Sequence, residues 1–163
     1  MTDVSGSEAR LGDADGSAGS GPLGLVARWW PALLGLAVGV LGLLDLQPWT
    51  RTDPSTLLLP GLAIAYLGFG AARGRLRDPG VLRLQLVGLV VFGGCALLAV
   101  LVDARAGQYV AGLAWIGHAG WDVAHHRDLS HHRAVGVVPR GYAELCIALD
   151  LLVGASLIAA PAA

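Results

Sequence analysis

The residues best suited to chemistry are gathered in one stretch, His118-Ala119-Gly120-Trp121-Asp122-Val123-Ala124-His125-His126-Arg127-Asp128-Leu129-Ser130-His131-His132, which holds all five histidines of the chain. At about 100° per residue, a helix through this stretch puts His118, Asp122 and His125 within an arc of about 60°, with His126 at its edge. Two imidazoles and a carboxylate on one helical face suit Zn²⁺ or iron, and either Asp150 or His126 could complete the shell. The same groups could instead form a hydrogen-bonded His–Asp–His network that only locks helices together, and His125 and His126 could simply be solvated at an interface. His131 and His132, beside Arg133 in a loop, read as contacts to phosphate headgroups.

These groups need a scaffold, and composition says which kind. Of 163 residues, 55% are hydrophobic and only 14% charged, against roughly 25% charged in soluble domains. So few charges cannot cover a water-facing surface. Apolar runs of the length that crosses a hydrocarbon core of about 30 Å recur along the chain. The expected fold is all-α, an integral membrane bundle of five transmembrane helices: about 25–46, 55–72, 81–102, 108–126 and 141–160. Residues 1–22, rich in Ser, Gly, Asp and Ala, have little to bury and read as a disordered cytoplasmic tail before a transmembrane domain at 23–163. The first apolar run starts late, is long and lacks a small-residue cleavage site, so it reads as a span and not as a secretory signal.

Several local features belong to this scaffold. Trp29, Trp30 and Trp49 bracket the first helix as interfacial anchors would. Gly35 and Gly39 form a GxxxG step with Gly42 one turn on, a pattern that favours close helix packing, either within the chain or in a homo-oligomer. Pro60 and Gly61 could kink the second helix, and Asp78-Pro79-Gly80 reads as a turn. Cys95 and Cys146 both fall within helices and are expected as free thiols. Net charge is −1 and all 11 basic residues are arginine; no basic stripe suggests a nucleic-acid partner, and membrane lipid is the expected one.

Arginine placement sets the orientation. Arg10, Arg28, Arg73, Arg75, Arg77, Arg83, Arg127, Arg133 and Arg140 fall on one side of a five-span topology, and only Arg51 and Arg105 on the other. The N-terminus is therefore expected in the cytoplasm and the C-terminus outside. A C-terminal reporter that works only in the cytoplasm should be inactive, and an active one would reverse this topology. The histidine end of the fourth helix then faces the cytoplasm. At a rise of about 1.5 Å per residue, His118 lies about 12 Å from that interface, Asp122 about 6 Å and Asp150 about 13 Å. His118 and Asp150 thus sit at one depth on neighbouring antiparallel helices. A carboxylate at that depth needs a partner. Gln85, Trp121, Tyr142 and Cys146 are expected to line the pocket, while Glu144 points toward headgroups or an arginine.

Gly117-His118-Ala119-Gly120-Trp121-Asp122-Val123-Ala124-His125-His126, then Val138-Pro139-Arg140-Gly141-Tyr142, then Cys146 and Asp150, resemble a group of small, uncharacterised bacterial polytopic membrane proteins. These share an H-x-x-W-D-x-x-H-H helix and a V-P-x-x-Y lead-in to the last helix. The resemblance covers about residues 115–155 and implies a membrane location but no activity. Membrane desaturases and hydroxylases carry more histidines in other spacings, and the membrane hydrolases similar to alkaline ceramidases carry their zinc on a larger bundle.

Three functions fit these residues. The first is a metal-dependent enzyme acting on a lipid-like molecule from the cytoplasmic leaflet. There His118, Asp122, His125 and His126 hold the metal and His118 and Asp150 carry the catalysis, Asp150 as proton acceptor. The second is a small proton-coupled transporter or ion-binding protein, with Asp150 and His118 as a relay. The third is a structural or haem-binding subunit.

Overall fold

The computed structural model describes residues 22–44, 49–51, 53–127 and 136–160. The tail, Asp45, His131 and His132 lie outside the described residues. Five α-helices and no strand occur among the described residues: α1 Pro22–Leu44, α2 Pro54–Ala72, α3 Val81–Leu101, α4 Ala104–Arg127 and α5 Arg140–Ala159. The chain divides into two compact units, 1–30 and 31–163, and the packing that builds the site lies within the second.

Local chemistry sets the helix ends. The Asp53 side chain accepts from Ser55 N (2.8 Å) and Pro54 occupies the first helical position of α2, where its missing N–H costs nothing. The α2–α3 connection, with a 3-10 turn at Arg75–Arg77, reverses through Gly74 and Gly80, both in the left-handed region at φ +68° and +82°. Helix α4 begins four residues before the expected Gln108. Asp103 accepts from Ala106 N (3.0 Å) and so caps the helix upstream of Arg105.

Helices α2, α3 and α5 are long and apolar enough to cross a membrane. Their outer faces are apolar: Leu57, Leu58 and Ile64 on α2, and Leu82, Leu86, Val87, Val90 and Val91 on α3, are exposed. Gln85, Gln108, His118, Asp122, His125 and Asp150 are buried instead. A surface this apolar around a polar interior is the arrangement a lipid solvent favours. Helix α4 is less apolar because its inward face carries four of these groups, Gln108, His118, Asp122 and His125.

Among the buried positions on α4, Gln108, Ala111, Trp115, His118, Asp122 and His125 follow one another in alternating steps of three and four. This is the spacing of a helix seam. Helix α4 packs most extensively on α5, and also on α3 and α2. Small residues let the backbones approach. A Cβ at Gly154 of α5 would lie 2.7 Å from Gly112 O of α4. A Cβ at Gly35 would fall on the Leu145 carbonyl of α5, and one at Gly39 within 2.6 Å of Leu152 Cδ1. The GxxxG step of α1 therefore faces α5 of the same chain. Cys95 and Cys146 are free thiols.

Trp49 departs from the anchor expectation. Trp29 and Trp30 are exposed, but Trp49 is 1% exposed and belongs to the core with Leu59, Ala99, Ala111 and Trp115. Gly107 makes room for it: a Cβ there would lie 2.8 Å from the Trp49 ring. The indole follows the gap that small residues leave, not the interface.

Candidate metal or proton site

Three helices bring the site together. Helix α4 contributes His118 and Asp122, one turn apart on its seam; α5 contributes Asp150; α2 contributes Tyr66. All four are at most 1% exposed. His118 Nδ1 donates to Asp150 Oδ2 at 2.8 Å and lies 3.6 Å from Asp122 Oδ2, beyond hydrogen-bonding distance. The Tyr66 hydroxyl donates to Asp122 Oδ1. One atom from each of His118, Asp122 and Asp150 lies within 4.8 Å of the others, a spacing at which the three could hold a metal ion.

Two aromatic rings enclose the imidazole. Phe92 of α3 presents an edge contact to His118 with centroids 4.7 Å apart, and Tyr66 does so at 5.9 Å. These rings pack on the buried imidazole from α2 and α3. The carboxylates are less well served. Asp122 Oδ2 and Asp150 Oδ1 are buried with no hydrogen-bond partner among the described residues. Buried polar atoms are seldom left so. Two carboxylates also face one imidazole, so with all three ionised the enclosed group would carry an uncompensated negative charge. A cation or a proton must balance it.

The remaining expected residues are placed one turn further along α4. His125 is buried, but both its ring nitrogens are engaged. Gln85 Nε2 donates to His125 Nε2 (2.9 Å), which puts the ring proton on Nδ1, and Nδ1 donates to Trp121 O (2.9 Å). Seven residues of helical rise, about 10 Å, separate it from His118. His126 Nε2 lies 3.8 Å from Glu144 Oε1, so neither histidine joins the group around Asp150. Gln85 therefore positions His125, and Trp121 packs on Phe92 and His125 with centroids 5.9 and 5.1 Å away. A Cβ at Gly88 would come within 2.9 Å of the Trp121 ring, so that glycine seats it. Tyr142 meets Tyr66 and Phe69 edge-on, and Cys146 is buried one turn from Asp150.

Tyr66 and Phe92 are the two residues that sequence reasoning left out of the site. Tyr66 offers one signal: its hydroxyl lies in the middle of an otherwise apolar helix, where a buried phenol needs an acceptor. Phe92 offers none, since a phenylalanine in an apolar helix is ordinary. Comparison with protein-family models, with curated proteins and with solved structures finds no match for this chain.

Proposed function

We propose that this is a five-span membrane protein with a cytoplasmic N-terminus, in which His118, Asp122 and Asp150 hold a divalent metal ion and act on a lipid-like molecule from the cytoplasmic leaflet. The observation that carries this reading is the pair of buried, unpartnered carboxylate oxygens, Asp122 Oδ2 and Asp150 Oδ1, beside His118. One imidazole with two carboxylates suits Zn²⁺ or iron(II), and is a harder set than two imidazoles with one carboxylate. A metal bound there supplies Lewis-acid polarisation or an activated water.

The protein's own residues do the rest. Tyr66 holds Asp122 through Oδ1, which leaves Oδ2 facing His118. Asp150 Oδ2, at 2.8 Å from His118 Nδ1, can accept a proton from that nitrogen. A metal held by His118 needs a nitrogen free of its proton, so metal binding at this group would release protons.

Asp150→Asn separates these roles. It keeps volume and hydrogen-bonding capacity while removing the charge. Expression and melting temperature in detergent should stay near wild type, while metal content falls at least about tenfold, a loss of roughly 1.4 kcal/mol or more in binding. Wild-type metal content in the variant, or none in the parent protein, would return the group to a purely structural network. A second reading is a proton relay without metal, favoured by the hydrogen-bonded pairs Tyr66–Asp122 and His118–Asp150, which face each other across 3.6 Å between Asp122 Oδ2 and His118 Nδ1. It requires pH-driven flux in liposomes from metal-free protein.

A further inference from the structure

A cavity with a basic lining lies at the His125 end of α4. It encloses about 260 Å³ and is lined by Arg73, His125, His126, Gly136, Val138, Arg140 and Ala143. It sits where α2 ends, α4 ends and α5 begins, at one end of the apolar spans. Arg73 Nε donates to Gly136 O (2.9 Å), which fixes the guanidinium at the wall. His126 Nδ1 is buried with no partner among the described residues. The first turn of α5 adds its own donors, because Pro139 at its N-cap makes no side-chain cap. The far nitrogen of His126 lies 3.8 Å from Glu144 Oε1.

We propose that this cavity binds a phosphate group. Two guanidiniums, an imidazole nitrogen and a helix N-terminus converge from different walls. A carboxylate has two oxygens and is satisfied by one guanidinium fork, whereas a phosphate turns three or four oxygens toward several walls at once. The cavity is also connected to the His118–Asp122–Asp150 group through a chain of contacts. His125 forms part of its wall, stacks edge-on against Tyr66 with centroids 4.9 Å apart, and Tyr66 bonds Asp122. A molecule anchored by phosphate at Arg73 and Arg140 would thus lie against His125, the residue that contacts Tyr66. Resting on the function proposed above, this makes the substrate class a phosphate-bearing amphiphile; the phosphate site itself does not depend on a metal.

The test uses the full chain in a non-ionic detergent. Binding of inorganic phosphate, dioctanoyl phosphatidate, dioctanoylglycerol and octanoate is measured by thermal shift and by titration, for wild type and Arg140→Gln. Arg140 is exposed, so its replacement leaves packing intact. Phosphatidate should bind and the glycerol ester and octanoate should not, with Arg140→Gln weakening phosphatidate at least about tenfold. Phosphatidate alone identifies a lipid headgroup as the source, and inorganic phosphate alone identifies a soluble phosphate. Failure of both phosphate probes, equal binding of octanoate, or an Arg140→Gln variant indistinguishable from wild type would overturn the proposal. Metal content is read on the same samples. Phosphate binding without metal would remove the metal reading and keep this one, and metal without phosphate binding would do the reverse.

Discussion

His118→Ala should lower stability by about 3–5 kcal/mol, the range for removing one partner from a buried charged group. The imidazole is the group that faces both Asp122 and Asp150, at 3.6 and 2.8 Å. Its loss leaves two fully buried carboxylates together on α4 and α5, with Asp150 deprived of its bond and only Tyr66 holding Asp122. Phe92 and Tyr66 flank the position and offer the two carboxylates no replacement cation. Denaturant titration in detergent checks the figure, with Asp150→Asn alongside. If His118→Ala melts within a degree or two of wild type, the three groups do not depend on one another and the site is not the keystone of the α4–α5 seam. Metal content should vanish in the same variant.

Gly154→Leu is expected to be as damaging for a different reason. A Cβ at this position would come within 2.7 Å of both Gly112 O and Ile116 Cγ1, and 3.1 Å of Ile116 N. Two of those atoms belong to the α4 backbone, so no side-chain rotation can relieve the clash. The helices must separate, at a cost near or above the roughly 3 kcal/mol upper end for overpacked cores. Separation also widens the His118–Asp150 contact one turn away, so metal binding should fall along with stability. Gly117→Leu is the matched control: a Cβ there meets nothing within 4 Å, and its surroundings are open. Equal melting temperatures for the two leucine variants would show that α4 and α5 do not rely on close approach at Gly112 and Gly154.

These two variants mark the division between what is local and what is tertiary in this molecule. The helices themselves are legible in the sequence, because apolar runs punctuated by Pro, Gly and capping Asp dictate them; α2 and α3 begin and end within a residue of expectation. The proximity of His118 and Asp150 is also legible. Both lie within one residue of the same count from one short connection, and axial rise converts that count into depth. Angular clustering alone was a weaker guide. His125 shares the seam of α4 with His118, but the same rise that matches His118 to Asp150 carries His125 about 10 Å away, to Gln85 on α3. Periodicity describes one helix, and whether two side chains meet depends on where a second helix crosses it. That crossing decides the parts that sequence does not reveal. Tyr66 reaches Asp122 from α2, Trp49 turns inward over Gly107, and α5 approaches α4 closely enough for Asp150 to meet His118 because Gly112 and Gly154 have no side chains to keep them apart.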